Sequence, residues 1–411
     1  MGDSPQRVVI VGGGYAGATC AVTLGKLVRS RRLDIEVVLV EPDPCQQALS
    51  ELDLVAVGPE RPEFCELWHP TVFKDLPVRV VYDRAALIYP EQRTVALEGG
   101  DTLEYWRLVI ATGAVPRLPP IPGLSPHAIT MWSVEDAQRL QRETQEAFTR
   151  AIKIDDRQTR QEALSFVVVG GGATGVEIVG TMAQMLPKRM DVFGLDPEDL
   201  SVHLVEGRPD ILYDLPQRLR SVARRRLERM GVAVHTGSPV SRVEAGNLHL
   251  VDGTSIPAPV LVWAGGAVAD PHASKWGFET DPAGRILVGE DLKVRGHDDI
   301  YAIGDVAAFR NPQTNRVLPM LAQMAIQEGP HAAHNIAQES RGDATLAFEP
   351  HFRGEFVSIG PRWGVGVMFG IQLTGIPAIV MKRITYVKYW LQVGGVRLAW
   401  KRLKELLSMQ R

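Results

Sequence analysis

The 411-residue sequence is short of cysteine, of long apolar runs and of net charge. Its three cysteines, Cys20, Cys45 and Cys65, all precede residue 66, and none forms a Cys-x-x-Cys pair. That argues against a disulfide scaffold or a cysteine zinc site and for a reducing compartment. No stretch reaches the roughly 18 uninterrupted apolar residues of a spanning helix, so none is expected to cross a bilayer. The polar lead Gly2-Asp3-Ser4-Pro5-Gln6-Arg7 lacks the basic start and apolar core of a secretory signal. A formal charge of −3 does not suit a basic nucleic-acid binder, and no nucleic-acid partner is expected. The 45% hydrophobic content and eight tryptophans exclude a largely disordered chain, and the length points to two or three domains.

Glycine, by contrast, is plentiful and purposefully placed. The run Arg7-Val8-Val9-Ile10-Val11 reads as a buried strand and leads into Gly12-Gly13-Gly14-Tyr15-Ala16-Gly17. A helix-like run from Ala18 follows, then a strand Ile35–Val40 ending at Glu41, 24 residues after the last glycine. In such a G-x-G-x-x-G unit one glycine makes the tight turn, the next admits a pyrophosphate and the third packs helix on strand. The helix N-terminus then offers N–H groups and a positive dipole end to the phosphates. Gly12, Gly14, Tyr15, Ala16 and Gly17 are therefore candidate cofactor contacts, with Glu41 placed for a ribose. A lone glycine motif is weak evidence; a whole strand–turn–helix–strand unit is specific.

The unit recurs. Ser165–Val169 leads into Gly170-Gly171-Gly172-Ala173-Thr174-Gly175, a helix follows, and the next strand ends at Glu206, 31 residues after Gly175. Gly170, Gly172, Thr174, Gly175 and Glu206 form the second candidate set. Glu206 favours NADH, because a carboxylate accepts from a ribose 2′-hydroxyl and repels a 2′-phosphate, although Arg208 softens that rejection. Two units argue for two dinucleotides, most economically FAD in the first and a nicotinamide cofactor in the second. Further strands end in small-residue turns at Ala111-Thr112-Gly113, at Gly265 and at Gly304-Asp305. The expected class is α/β, with two Rossmann-like dinucleotide-binding domains: FAD-binding 1–122 and 285–349, interrupted by NAD(H)-binding 123–284. Residues 350–411 would form a C-terminal amphipathic helical segment that docks on a membrane. The polar stretch Ser133–Ala163 reads as one or two solvated helices.

These residues resemble the two-dinucleotide-binding-domain flavoprotein oxidoreductases. Within them the chain is similar to the type II NADH dehydrogenases, the single-subunit, non-proton-pumping NADH:quinone oxidoreductases. Leu164–Val169 running into Gly-Gly-Gly-Ala-Thr-Gly-Val-Glu, Tyr301-Ala302-Ile303-Gly304-Asp305, and above all Ala322-Gln323-Met324-Ala325-Ile326-Gln327 carry the resemblance. The match is loose over Cys45–Gly58 and in the C-terminal aromatic pattern. The resemblance implies FAD, NADH as substrate and a membrane quinone as acceptor, at the cytoplasmic face of the cell membrane. It places Asp305 at the flavin's ribityl or phosphate portion and Glu177 at the nicotinamide–flavin contact. Read from the residues alone, Glu177 is equally an acid complementing a helix N-terminus. Gln323 and Gln327 share one helix face, with Ala322 and Ala325 leaving room for a planar ring. Two amides can donate to quinone carbonyls without adding charge, or simply cap an internal surface; the resemblance favours the quinone.

The cysteines argue against two neighbouring activities. Disulfide reductases need a dithiol beside the flavin, and sulfide:quinone oxidoreductases need cysteines in the middle and C-terminal parts of the chain. His69 and His351 read as loop histidines without a role. Two other functions remain open: reduction of a soluble acceptor or small redox protein, and an apoptosis-inducing-factor-like protein whose NADH-bound state controls an interaction.

From Pro377 to Arg411 eight lysines and arginines face Glu405 alone, a local +7 that leaves −10 on the rest of the chain. Ile379, Val380, Ile384, Val387, Trp390 and Leu391 recur at helical spacing among Lys382, Arg383 and Lys388. After Gly394-Gly395, Leu398, Trp400, Leu403, Leu406 and Leu407 alternate with Arg397, Lys401, Arg402 and Lys404. Basic residues beside apolar and Trp faces suit a helix lying in an anionic lipid interface. The plainer alternative is packing on the protein or across a homodimer.

Overall fold

The structure, a computed structural model, describes residues 5–58 and 61–408. The lead Gly2-Asp3-Ser4, the side chains of Leu406 and Leu407, and Arg411 lie outside the described residues. In chain order the elements that position the site are β1 (Gln6–Val11), α1 (Tyr15–Arg31), β2 (Ile35–Val40), β3 (Val78–Val81) and β4 (Arg107–Ile110). Then come α2 (Val134–Ala151), β5 (Ser165–Val169), α3 (Ala173–Val192), β6 (Ser201–Glu206), β7 (Val232–Thr236) and β8 (Val260–Trp263). The chain continues through β9 (Ile300–Ala302), α4 (Ala322–Glu339), β10 (Gly354–Ser358), β11 (Gly364–Met368), β12 (Ile371–Thr374) and α5 (Ile376–Ser408).

Two parallel sheets result. One runs β9-β4-β1-β2-β3, the other β7-β6-β5-β8. Their central strands are apolar at nearly every position because helices cover both faces: all five residues of β5 are buried, as are the last four of β1. In each sheet the strand before the glycine turn has its next strand on one side and a later strand on the other. That reversal opens a crevice at the strand ends, the usual ligand position in open α/β sheets.

Residues 133–163 are less solvated than their polarity suggests. The helix α2 starts on Ser133, whose side chain accepts from Asp136 N–H, and buries Leu140, Ala147 and Phe148. The C-terminal part is not purely helical. An antiparallel sheet β10-β11-β12 precedes α5, which bends at Gly395 (φ 66°, ψ −168°). Helix propensity and basic charge do not register the sheet, whose strands are short and glycine-rich.

Glycines set two close crossings. A Cβ on Gly329 of α4 would lie 2.3 Å from Thr19 Oγ1 and 2.4 Å from Ala16 O, so α4 sits directly on α1. A Cβ on Gly180 of α3 would lie 2.8 Å from Gly360 N, where the β10–β11 turn lands.

Candidate functional site: two glycine-turn cradles and a buried ion pair

The two glycine turns match almost atom for atom. At Gly12 (φ +102°) a Cβ would lie 2.4 Å from Ala111 O, and at Gly17 one would lie 1.8 Å from Gly12 O. At Gly170 (φ +115°) the distance is 2.2 Å to Ala264 O, and at Gly175 it is 1.8 Å to Gly170 O. Gly14 and Gly172 have no protein atom within 4 Å of the same point. Outer glycines thus serve the fold, and the middle one faces open space for a ligand's backbone approach.

Each turn holds a carboxylate. Gly13 N–H donates to Glu41 Oε2 at 2.5 Å and Asp43 N–H to Oε1 at 3.1 Å. Gly171 N–H donates to Glu206 Oε2 at 2.5 Å and Arg208 N–H to Oε1 at 2.7 Å. Burial raises the pKa of Glu41, against the pull of its backbone donors. His69, expected in a loop, instead begins a short helix and is buried, its ring against Gly13.

The first cradle fits a dinucleotide. Thr112 Oγ1 is buried with no partner among the described residues, while Gly113 beside it faces open space. Gly304 packs against Ala16, where an added Cβ would lie 2.9 Å from Ala16 Cβ, and so sets Asp305 at the start of α1. Burial pushes the Asp305 carboxyl up to about 6, with Arg285 opposing. Behind it Glu328, invisible to motif reading, accepts from Gly304 N–H and is pushed up to about 8 by burial.

The second cradle opens into a cavity lined by Gly172, Glu206, Arg208, Tyr213 and Glu355. Tyr213, 51% exposed, lies under the Arg208 and Arg220 guanidiniums at 5.6 and 5.3 Å. Sequence reasoning missed it because its loop carries no motif. At Gly265, expected as a ligand contact, a Cβ would meet the Trp263 indole at 2.5 Å, so only glycine fits beside that ring.

Gln323 and Gln327 share a face of α4, as their spacing requires, but their amides are engaged. Gln323 Nε2–H donates to Gly354 O (3.0 Å), and its Oε1 accepts from Arg353 N–H (2.7 Å). Gln327 Nε2–H donates to Gln323 O (2.7 Å) and His351 O (3.1 Å), and its Oε1 accepts from His351 N–H. The expectation of two free donors is therefore corrected. Gln327 spends both amide hydrogens on backbone, and Gln323 keeps one. The pair clamps the segment entering β10, whose unpaired backbone groups supply better-placed partners than solvent.

Glu177 is likewise not a plain dipole acid. It is the fifth residue of α3 and is buried. Its Oε1 accepts from Ser358 N–H at 2.9 Å and from Lys382 Nζ–H, which also donates to Ser358 Oγ at 3.0 Å. Burial alone would lower the Lys382 pKa, but Glu177 holds it charged. Thus Lys382, counted in the sequence among interfacial basic residues, faces inward. So does Arg402, which donates to Glu63 O (2.9 Å), Phe64 O (3.0 Å) and Glu66 O. The apolar face is split as well. Ile379, Trp390 and Leu398 are buried, whereas Val380, Ile384, Leu391, Val396 and Trp400 are exposed, as are Phe369 and Ile371 at the β11–β12 hairpin. No helix among the described residues is long and apolar enough to cross a membrane.

Comparison with known proteins extends this picture. Residues 5–329 match the model of the pyridine nucleotide-disulphide oxidoreductase family. The chain is 29% identical over 409 residues to a type II NADH:quinone oxidoreductase of Staphylococcus haemolyticus, covering 98% of this chain and 100% of the relative. NDH2 from Plasmodium falciparum, solved in complex with NADH, shares the fold at a TM-score of 0.87 and 16% identity, over 98% of this chain and 97% of that one. The sulfide:quinone oxidoreductase of Aquifex aeolicus superposes at a TM-score of 0.76 and 18% identity, over 96% and 94%.

Proposed function

The chain belongs to the pyridine nucleotide-disulphide oxidoreductase family, and we propose that within it the protein is a non-proton-pumping NADH:quinone oxidoreductase. The observation that carries this reading is the pair of matching cradles in a chain whose three cysteines are all free. Without a dithiol beside them, electrons entering through one dinucleotide leave to a diffusible acceptor. The staphylococcal relative's name supports a quinone in that role.

The Gly12–Gly17 turn, Glu41, Ala111 to Gly113, Asp305 and the start of α4 at Ala322 would hold FAD. When bound, that group supplies two-electron chemistry, accepting a hydride and releasing electrons to an acceptor. The Gly170–Gly175 turn, Thr174 and Glu206 bind NADH, and Tyr213 stacks beside its adenosine. Orientation is most of what this chain must provide, since hydride transfer depends on alignment. Glu177 contributes by fixing Ser358 and Lys382 at the end of β10. At the strand's other end, roughly 13 Å away at a normal strand rise, Gln323 keeps one amide hydrogen for a quinone carbonyl. The interrupted division into FAD-binding 1–122 and 285–349 and NAD(H)-binding 123–284 accords with β9 joining the first sheet.

We read the exposed apolar strip of α5 and the hairpin at Phe369 as the part that rests on a membrane, at its cytoplasmic face. Lys388, Arg397, Lys401 and Lys404 are exposed beside it, suited to anionic headgroups. A second copy of the chain is the alternative occupant. The decisive experiment measures NADH oxidation by the flavin-loaded protein with and without a short-chain quinone. Rapid quinone-dependent turnover is expected. Flavin bleaching that quinone does not reverse would overturn the reading and favour an NADH-sensing interaction protein.

A further inference from the structure

A helix beside the second cradle is more densely basic than the C-terminal tail. Gln217–Arg229 carries six arginines and one glutamate, a local +5 that, with the +7 of the tail, leaves −15 on the rest of the chain. Leu219, Ala223 and Leu227 are buried and seat the helix beside β7. Arg220 pairs with Asp210 at 3.3 Å and Arg224 with Glu228 at 2.9 Å, and Arg226 lies over the Trp363 ring at 5.6 Å. Arg218, Arg225 and Arg229 are exposed and pair with no carboxylate among the described residues. Their spacing puts them on one face, in a stripe roughly 16 Å long at the helical rise.

The helix stands at the rim of the cavity. Residues 212–215, which line it, lead into the helix through Pro216, and Arg220 lies over the Tyr213 ring at 5.3 Å. The cavity itself is acidic: Glu206, Asp210, Asp214 and Glu355 line it against the single guanidinium of Arg208. NADH brings two more negative charges on its pyrophosphate. The N–H groups and dipole at the start of α3 suit those phosphates once they are docked, but a helix-end field fades within about one turn. Neither the acidic walls nor a body at −15 draws such an anion in from solution. The unpaired arginines supply the missing attraction. Their stripe begins two residues from Arg220 and ends within about two Debye lengths of it at physiological salt.

We propose that Arg218, Arg225 and Arg229 form an electrostatic guide that draws NADH into the second cradle and favours it over NAD. The inference rests on the reading of that cradle as the NADH site. A long-range field acts on net charge, so the three arginines need not touch the nucleotide. NADH has an uncharged dihydronicotinamide and two net negative charges. NAD has a cationic nicotinamide and one. In the same potential the attraction energy of NADH is twice that of NAD, so the factor by which NAD is enriched is squared for NADH. Substrate is therefore captured more strongly than product. The guide acts before docking and leaves the hydride step itself unaltered.

The test compares the flavin-loaded protein with a triple variant, Arg218→Glu with Arg225→Glu and Arg229→Glu, and with the corresponding triple Gln variant. Stopped-flow absorbance gives the second-order rate constant of flavin reduction at ionic strengths from about 0.02 to 0.5 M. With NADH at low salt the Glu variant should be about tenfold slower and the Gln variant about threefold, and all forms should converge at high salt. A 1-alkyl-1,4-dihydronicotinamide, which has no phosphate and no charge, should reduce all three alike at every salt concentration. The inhibition constant of NAD should rise by about the square root of the NADH effect. The limiting reduction rate at saturating NADH should not change. An unaltered NADH rate at low salt, a loss that high salt does not reverse, or an equal loss with the uncharged donor would each overturn the proposal. If the Glu variant fails to retain flavin, the Gln variant decides by the same criteria. A flavin that NADH does not reduce would sink the NADH reading of the cradle. A reduced flavin that quinone cannot reoxidise would sink the quinone-reductase reading and leave the reduction rates to decide the guide.

Discussion

Glu206 and Tyr213 show how far a single residue can be read. Spacing alone locates Glu206, because the acid ending the second strand of such a unit must reach the turn that precedes it. Its carboxylate is held by Gly171 N–H and Arg208 N–H; on the proposed reading a 2′-hydroxyl donates to it and a 2′-phosphate is repelled. Glu206→Ala is expected to reduce the preference for NADH over NADPH by roughly tenfold, read as the ratio of kcat/KM values, since a lost charged hydrogen bond is worth about 1.5–3 kcal/mol. Tyr213 has no such marker, since its place under two guanidiniums depends on how its loop lies. Tyr213→Ala should raise KM for NADH severalfold with kcat little changed, and Tyr213→Phe should not. Reduced nicotinamide mononucleotide, which lacks the adenosine, should be used equally by both. A comparable loss with that substrate would remove Tyr213 from the adenosine site.

The glycine turns were legible as elements because strand, turn and helix lie within about thirty residues and each glycine answers a local steric demand. Their internal division of labour emerges in three dimensions and predicts opposite outcomes for similar substitutions. Gly14→Ala adds a methyl that meets no protein atom, so the apoprotein should melt within about a degree of the original while flavin retention falls sharply. Gly17→Ala places its methyl 1.8 Å from Gly12 O and should destabilise the apoprotein itself, by about 1–3 kcal/mol. Denaturant unfolding of both apoproteins, with flavin absorbance of the purified forms, separates the effects. Helix α5 was only half legible. Its apolar and basic residues have helical spacing, but spacing cannot say which basic residue turns inward to find a carboxylate on another element.

Across the whole molecule, buried acids make stability depend on pH in an uncommon direction. Glu51 and Glu328 are each pushed up to about 8, well above the 4.5 of an exposed glutamate. A folded-state pKa above the unfolded one contributes stability that is complete below pH 4.5 and lost as pH rises through 8. The melting temperature should therefore fall by several degrees between pH 6 and 9 in scanning calorimetry. Glu328→Gln should flatten the slope while keeping the amide able to accept from Gly304 N–H. A slope unaltered by Glu328→Gln would place the buried proton elsewhere. The proposed membrane contact is tested at the same scale. Val396→Ser with Trp400→Ser removes two exposed apolar side chains and should cut sedimentation with anionic vesicles at least tenfold. Turnover with a water-soluble quinone should persist, and unchanged sedimentation would point to another surface.

Sequence by itself determined the two dinucleotide units, the acids that end them, the return of the chain at Gly304-Asp305 and the basic character of the C-terminus. All of these follow from local steric needs or from composition. Tertiary structure alone decided the partners of what those units carry. Glu177 pairs with Lys382 across 205 residues, the glutamines of α4 clamp the backbone entering β10, and Asp53 meets Thr181 across 128. Such pairings depend on where helices and sheets cross, and a buried charge takes whichever partner that packing brings within reach. The tail that reads as uniformly basic therefore divides into an exposed face and two inward cations, Lys382 held by Glu177 and Arg402 held by backbone carbonyls.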